Sequence, residues 1–339
     1  MSYQQIKNIK KKLGSELAIL AHHYQNDSIV EHADLVGDSL QLAAAIPDLD
    51  AGLIMFCGVD FMAETAAVLA NPGQKVFMPA PEATCVMADM APASLAGEIM
   101  TRLKQTGRVI PLAYVNSSIG VKAICGKSGG SVCTSANAGK MLDWAFKQGD
   151  QVLFLPDKNL GQNTAIKAGL DLHKVQTLDI RNKGANIRTR ELTDKQLLLW
   201  PGVCAVHFRL KQSRLKSIRQ NNPHALIVVH PESDPAVVAM ADETGSTSTI
   251  ISFTRNAPAA STIYIGTEDN LVHRLNKEFP DKNILPLGAG YCSNMARTTP
   301  RSLALALENM TGGNAVTVDP GLAPHARKAV ETMLEVTRK

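Results

Sequence analysis

The sequence lacks most of the features that mark whole classes of protein. Aromatic residues make up only 4% of its 339 residues, and its formal net charge is +4. So small and scattered a positive excess argues against a nucleic-acid partner, although it suits an anionic small-molecule substrate. The longest apolar runs, such as 51–57, are far shorter than the ~20 residues that a membrane-spanning helix needs. Neither nucleic acid nor a membrane is therefore expected as a partner.

Cysteines are also few, since the chain has six. This number is too small for a dense disulfide framework, and in a reducing compartment it indicates metal binding or packing. The basic N-terminal stretch lacks the apolar segment and cleavage site of a secretory signal, so we expect the first helix of a cytoplasmic protein. Cys57, Cys125 and Cys133 are interpreted as small buried hydrophobic residues.

The other three cysteines close an internal repeat of three units. Each repeat unit begins with an apolar run that ends at a polar residue, and a second marker residue precedes the cysteine. The two steps are 36 and 27 residues in unit one, 43 and 47 in unit two, and 36 and 26 in unit three. Unit two therefore resembles the others with insertions. The polar residues are His22, Tyr114 and His230, the second markers are Gly58, Asp157 and Gly266, and the cysteines are Cys85, Cys204 and Cys292.

Short apolar runs alternate with segments of helical periodicity, a pattern typical of βαβ units and parallel sheets. The predicted fold class is α/β, with three similar αβα domains at 1–104, 105–214 and 215–339, the last including a C-terminal closing segment. Strands are predicted at 17–21, 53–56, 76–78, 109–113, 152–155, 197–200, 226–229, 262–265 and 284–287. Helices are predicted at 29–45, 62–69, 271–278, 301–309 and 324–336.

The spacing of the three repeated cysteines indicates a particular metal centre. Structural zinc normally takes four ligands in local pairs, whereas these thiols are 119 and 88 residues apart. Three distant thiolates better suit an iron–sulfur cluster in which one iron stays open and can act as a Lewis acid. Buried-cysteine packing is the alternative interpretation.

Polar groups follow the first predicted strand of each repeat unit, where ligands of open parallel sheets bind. Imidazole, phenol and carboxylate groups can serve there as general acids or bases when their pKa values are tuned. Any one of them alone would more often be a hydrogen-bonded turn residue. The groups are His22, His23 and Tyr24 in unit one, Tyr114 and Asn116 in unit two, and His230 and Glu232 in unit three.

Three hydroxyl-rich turns precede helical segments, around Ser39, Ser135 and Thr247. Helix capping is their default interpretation, but the same geometry presents hydroxyl and N–H groups to carboxylate or phosphate. His207, three residues after Cys204, is either a partner of the metal site or a polar residue at a strand end. The Gly288-Ala289-Gly290 stretch lacks the third glycine of a dinucleotide-binding fingerprint.

Over nearly its whole length the chain resembles quinolinate synthase, the A protein family of bacterial NAD biosynthesis. The combination of its motifs is highly specific. They are Ala21-His22-His23-Tyr24-Gln25, Gly37-Asp38-Ser39, Tyr114-Val115-Asn116-Ser117, Thr134-Ser135-Ala136-Asn137, Leu155-Pro156-Asp157-Lys158-Asn159-Leu160-Gly161, Pro201-Gly202-Val203-Cys204-Ala205-Val206-His207, Val229-His230-Pro231-Glu232, Gly245-Ser246-Thr247-Ser248 and Gly266-Thr267-Glu268.

The resemblance implies three αβα domains around a pseudo-threefold axis, with Cys85, Cys204 and Cys292 holding a [4Fe–4S] cluster whose open iron acts as a Lewis acid. It implies a condensing and dehydrating transferase that joins iminosuccinate (iminoaspartate) to dihydroxyacetone phosphate, releasing phosphate and two waters to give quinolinate. An L-aspartate oxidase or dehydrogenase would supply the iminosuccinate. By the same resemblance the catalytic residues are Tyr24, His230 and Glu232, and the substrate contacts are His22, Ser39, Tyr114, Asn116, Ser135, His230, Glu232 and Thr247.

Two features depart from the family pattern. Cys292-Ser293-Asn294-Met295 replaces the Cys-x-x-Cys-Pro of many members, which keeps the ligand but removes any local disulfide switch. Between Tyr114 and Ser135 the chain is also about four residues longer than many members of the family. The assignment of Ser135 therefore rests on the match of Thr134-Ser135-Ala136-Asn137 and not on its distance from Tyr114. Two rival functions stay open here: a three-cysteine cluster reductase of isoprenoid diphosphates, which would need an electron donor, and a non-catalytic metal sensor or ligand-binding protein.

Overall fold

Three parallel sheets carry the fold in the computed structural model, which describes residues 2–310 and 312–338. The strands of the first sheet are β1 (Leu17–His22), β2 (Leu35–Gly37), β3 (Leu53–Cys57) and β4 (Lys75–Phe77). Those of the second are β5 (Val109–Tyr114), β6 (Ser131–Cys133), β7 (Gln151–Leu155), β8 (Val175–Thr177) and β9 (Leu197–Leu199). Those of the third are β10 (Leu226–Val229), β11 (Glu243–Thr244), β12 (Thr262–Gly266) and β13 (Asn283–Pro286).

All three sheets share one strand order. It is β2-β1-β3-β4 in the first sheet, β11-β10-β12-β13 in the third, and β6-β5-β7-β9 in the second, where β8 adds a fifth strand at the edge. Every pair of neighbouring strands is parallel. The predicted α/β class with three similar units is confirmed. The extra strand β8 lies in the longer second step of repeat unit two, so the predicted insertion is real.

Helices connect and cover these strands. No helix of the described residues has both the length and the apolar character needed to cross a membrane. The helices are α1 (Ser2–Leu13), α2 (Asp27–Val30), α3 (Ser39–Ala45), α4 (Asp60–Leu69), α5 (Val86–Asp89), α6 (Ala93–Leu103), α7 (Ile119–Lys127), α8 (Ala138–Phe146), α9 (Lys158–Lys167), α10 (Arg181–Gly184), α11 (Ala205–Phe208), α12 (Gln212–Asn221), α13 (Pro235–Val238), α14 (Thr247–Asn256), α15 (Asp269–Glu278), α16 (Pro300–Glu308) and α17 (Ala323–Arg338).

The first strand of the first sheet shows why the apolar runs are continuous. All six residues of β1 are buried, because helices cover both faces of a parallel sheet. Leu17 and Ile19 pack in a cluster with Ile6 of α1 and Leu303 of α16. Each such side chain contributes about 1.5–3 kcal/mol by leaving water.

The predicted helix over 29–45 is wrong, because β2 interrupts it. Asp34 brings the chain back to the sheet: its N–H donates to the carbonyl of Ile19 at 2.7 Å, and its carboxylate accepts the N–H of Ile19 at 2.8 Å. Asp38 then starts α3 with a capping box to Gln41. Helical spacing of apolar residues therefore did not reveal a three-residue edge strand between two short helices.

Contact density divides the chain into two compact units. The first consists of the described residues of 1–85, 209–230 and 241–318 and contains the first and third sheets. The second consists of those of 86–208, 231–240 and 319–339 and contains the five-stranded sheet. Helix α17 packs against α7, α8 and β6 within this second unit. The domain limits drawn from the sequence, 1–104, 105–214 and 215–339, stay a prediction.

Candidate active site

The three repeated cysteines occupy matching positions in their sheets. In each sheet, the helix after the third strand in chain order begins with an N–H that donates to the carbonyl two residues before the cysteine. These bonds run from Asp60 to Ala83 (2.8 Å), from Lys158 to Gly202 (2.9 Å) and from Asp269 to Gly290 (3.3 Å), before Cys85, Cys204 and Cys292 respectively. The repeat seen in the sequence is therefore also a repeat of backbone structure.

Two of these carbonyls belong to glycines, and the close approach requires glycine. A Cβ on Gly202 would collide with the carbonyl oxygen of Pro156, and one on Gly290 with that of Thr267. Backbone atoms cannot rotate away as a side chain can. The loops that carry Cys204 and Cys292 are thus held tightly against the preceding strand ends.

Burial separates the six cysteines into two groups. Cys57, Cys125 and Cys133 are fully buried, as predicted, and burial raises the pKa of the Cys125 thiol to about 12. A thiol held in this way does not become the thiolate that binds metal. The other three are partly exposed, which fits a ligand role. That these three thiols converge on one cluster stays a prediction.

One cluster of potential ligands lies within the second unit, where Cys204, His207 and Glu232 place one ligand atom each within 4.8 Å of the others. Nδ1 of His207 lies 2.9 Å from Oε2 of Glu232, and both side chains are buried. His207 thus lies in α11 and contacts Glu232 beside Cys204, and its role at a metal site stays a prediction. Thiolate, imidazole and carboxylate together could also hold a single divalent metal ion.

Two asparagines of α9 fix the segment that carries Glu232. Asn159 donates to the backbone carbonyl of Glu232 at 3.1 Å, and Asn163 donates to those of Pro231 and Ser233 at 2.7 and 2.8 Å. All three bonds are buried. The sequence motif contains Asn159 but gave no indication of this role, because the partners are about seventy residues away.

In the first unit, His22 and Tyr24 form a second group of candidate residues. The N–H of Tyr24 donates to Nδ1 of His22 at 3.1 Å, so in the neutral ring the proton is on Nε2. The two rings meet edge to face, with centroids 4.7 Å apart. The Tyr24 hydroxyl lies 2.7 Å from Oγ1 of Thr267, a residue to which the sequence assigned no role. A phenol in a hydrogen-bonded chain of this kind can pass a proton.

Arg274 of α15 holds the loop that carries these residues. Its guanidinium donates to the carboxylate of Asp27 and to the carbonyl of His23, both at 2.9 Å, and to the carbonyl of Gln25. Its planar fork allows one side chain to bind three acceptors. This residue was missed in the sequence because nothing local in α15 indicates a partner so far away.

The hydroxyl-rich turns have a common arrangement in the first and third sheets. Ser39 and Thr247 are the first residues of α3 and α14, while the caps are their predecessors Asp38 and Ser246. Ser248 donates to the Asp38 carboxylate at 2.6 Å, which brings the two helix starts together. Asp38 and Ser246 therefore cap the two helices, and the side chains of Ser39 and Thr247 are not used as caps. Ser135 differs, since it lies in a turn before α8, whose N-cap residue is Asn137.

Two of the predicted substrate contacts carry buried polar atoms without a hydrogen-bond partner among the described residues. They are Oγ1 of Thr247 and Oδ1 of Asn116. An unpaired buried polar atom costs about 1–3 kcal/mol, so native structures usually supply a partner, which includes ligands and water. These atoms are therefore suited to contact a bound molecule.

The predicted site residues lie at the carboxyl ends of strands or in the loops and helices that follow. Tyr114 ends β5, and the N–H of His230, directly after β10, donates to the carbonyl of Gly266 at 3.0 Å. The first unit contains His22, Tyr24, Ser39, Cys85, His230, Thr247 and Cys292, and the second contains Tyr114, Asn116, Ser135, Cys204 and Glu232.

Known proteins resemble the chain over nearly its full length. The family model described as "Quinolinate synthetase A protein" matches residues 4–335. A quinolinate synthase of Corynebacterium glutamicum is 41% identical over 98% of this chain and 87% of its own. Others from Streptomyces coelicolor and Bacillus cereus are 42% and 41% identical, covering 96% and 98% of this chain and 86% and 92% of theirs.

Proposed function

The chain belongs to the quinolinate synthetase A protein family, and we propose that it condenses iminosuccinate with dihydroxyacetone phosphate to give quinolinate for NAD biosynthesis. Phosphate and two waters are released. Together with quinolinate, they account for every atom of the two substrates. Because no net electrons are transferred, the reaction needs no external reductant. A cytoplasmic location, and an L-aspartate oxidase or dehydrogenase as supplier of iminosuccinate, belong to the same proposal.

Cys85, Cys204 and Cys292 are the proposed ligands of a [4Fe–4S] cluster. Such a cluster, when bound with one iron open, supplies a Lewis acid. What supports these ligands is their matching position in three sheets and their partial exposure. Iron prefers soft thiolate ligands, which agrees with this donor set.

The observation that carries the proposal is the buried pair of His207 and Glu232, 2.9 Å apart beside Cys204. A carboxylate paired with an imidazole can accept and return a proton during dehydration and ring closure. Tyr24 and His230 are the proposed further proton carriers. The hydroxyls of Ser39, Ser135 and Thr247 are proposed to bind carboxylate or phosphate oxygens, with His22, Tyr114 and Asn116 completing the substrate contacts.

Two substitutions test the proposal, with anaerobic purification, visible spectra and an assay of quinolinate from the two substrates. Cys204→Ser is expected to abolish both the brown chromophore and turnover. Glu232→Gln is expected to keep the chromophore and reduce kcat by ~100-fold or more, the usual loss for a general acid–base group. Glu335→Gln, on the exposed face of α17, is the control and should change neither.

Formation of quinolinate by iron-free protein would rule out the cluster as a participant. Iron-loaded wild-type protein that makes no quinolinate would exclude the function itself. One alternative to the iron–sulfur cluster is a single zinc ion held by Cys204, His207 and Glu232. It is favoured because one ligand atom of each residue lies within 4.8 Å of the others. Metal analysis separates the two, since one zinc without iron would support the second.

A further inference from the structure

A buried carboxyl group is hydrogen-bonded to the backbone of Cys204. Asp157 is the N-cap residue of α9, where Oδ1 accepts the N–H of Leu160 at 2.7 Å. Its other oxygen, Oδ2, accepts the N–H of Cys204 at 3.1 Å. The side chain is fully buried. One residue thus joins the start of a helix to the peptide group of a candidate ligand.

The third sheet repeats this arrangement with a longer side chain. Glu268 is the N-cap residue of α15, and Oε2 accepts the N–H of Asn270 at 2.8 Å. The backbone N–H of Cys292 lies close enough to this carboxyl group to stabilise its negative charge and so lower its pKa. Glu268 is likewise fully buried. The first sheet differs, because the corresponding N-cap residue is Val59, which has no side-chain cap.

Helix capping alone does not account for carboxyl groups at these two positions. Serine, threonine and asparagine cap helices about as well as aspartate does. Burying a carboxyl group is costly unless both of its oxygens are hydrogen-bonded. A carboxylate offers acceptors on two atoms, so it can bind the helix start and the cysteine N–H at once, whereas a hydroxyl has one oxygen.

We propose that Asp157 and Glu268 are positioning residues that hold the peptide groups of Cys204 and Cys292 in one orientation for a bound iron–sulfur cluster. This inference rests on the proposed function. Groups that orient the ligands of a metal affect its binding and its potential. Asp157 also occupies the N–H of Cys204, which could otherwise bond to sulfur, and hydrogen bonds to sulfur help to set cluster potentials.

Asp157→Ser separates the two roles of the residue. The shorter hydroxyl can cap α9 but leaves the N–H of Cys204 without its acceptor. In the iron-loaded enzyme we expect iron release to a ferrous chelator ~10-fold faster or more, together with a shifted midpoint potential and unchanged helix content by circular dichroism. Asp171→Ser is the matched control, since Asp171 caps an exposed turn through the N–H of His173. It should leave release rate and potential unchanged.

Two further variants keep the test decisive if Asp157→Ser folds poorly. Glu268→Ser should accelerate iron release in the same way through Cys292. Asp157→Glu should restore most of the wild-type behaviour, because in the third sheet a glutamate caps the helix and its carboxyl group lies near the cysteine N–H. In the metal-free protein, Asp157→Ser should speed hydrogen exchange at the amide of Cys204 but not at that of Leu160, which keeps its cap.

The possible results distinguish this inference from the function on which it rests. Wild-type rates of iron release and an unchanged potential in both serine variants would overturn the positioning role and leave the proposed function intact. Wild-type protein that assembles no iron–sulfur cluster would overturn both. Faster release with an altered potential, confined to Asp157 and Glu268 variants, would establish the positioning role.

Discussion

At the scale of single residues, burial tunes the ionisable groups of the site more than charged neighbours do. Burial lowers the pKa of His23; Asp38 opposes this effect and Arg274 adds to it. Burial also raises the pKa of Glu268 to about 7. For Asp157, burial and then the negative charge of Glu232 raise the pKa well above its usual range. The pKa values of these groups, which lie next to the strand ends, thus differ from their values in water.

His23 predicts a dependence of stability on pH. Its folded pKa is lowered, so below about pH 6.5 the unfolded chain binds a proton that the folded chain does not. The free energy of unfolding should therefore decrease as the pH falls through this range. His23→Gln should make the decrease between pH 7.5 and 5.5 smaller, as measured by urea unfolding. The exposed His224→Gln controls for the loss of one imidazole, and an equal change in both variants would contradict the prediction.

At the scale of elements, α7 and α17 are packed closely enough to require a glycine. A Cβ at Gly126 of α7 would collide with the carbonyl of His325 in α17. Ser131 beside it donates to the carbonyl of Ala329 at 2.9 Å. Buried residues of α17 recur as Ala326, Ala329, Val330, Met333 and Leu334, one face of a helix. The segment from Gly126 to Ser131 thus approaches α17 at both of its ends.

Gly126→Ala should destabilise the protein by about 1–3 kcal/mol, because one of the two helices must move. Gly139→Ala in α8 is the matched control: nothing lies within 4 Å of its Cβ position. Alanine is the better helix former, so this control should stabilise by about 0.5–1 kcal/mol. Thermal unfolding measures both. A Tm for Gly126→Ala at or above wild type would show that α17 does not need the close approach.

The elements also show what could be predicted from the sequence. Nine of the thirteen strands were predicted within a residue or two, because buried parallel strands are continuous apolar runs. The edge strands β2, β6, β8 and β11 were missed, since their sequences contain no run of three apolar residues. Spacing along the chain identified three cysteines that occupy matching positions in their sheets. The equivalence of Asp157 and Glu268 was missed. The second markers of the repeat are Asp157 and Gly266, and they lie one and three residues before the following helix, so the repeat does not align Asp157 with Glu268.

At the scale of the whole molecule, segments that are far apart in sequence pack in the same compact unit. The five-stranded sheet of the second unit is completed by α17, from the far end of the chain. Within the same unit, the side chain of Asn137 donates to the hydroxyl of Thr337 at 2.8 Å. The stability of the second unit therefore depends on residues that follow the third sheet in sequence.

Met333→Ala tests this dependence. Met333 is fully buried in α17, so its truncation should cost about 2–5 kcal/mol of the free energy of unfolding. Hydrogen exchange should show the loss of protection in α7, α8 and β6. Leu305→Ala, half exposed on α16, is the control and should cost far less. Loss of protection confined to the first and third sheets would contradict the assignment of α17.

This arrangement has a consequence for synthesis on the ribosome. Ser131 and its partner Ala329 are separated by 198 residues. Translation adds ~5–20 residues per second. After α7 and β6 are synthesised, their apolar surfaces therefore stay uncovered for roughly ten seconds or more, until α17 has been made. During that interval the nascent chain exposes a groove shaped for its own distant helix, and chaperones that shield such grooves should associate with it there.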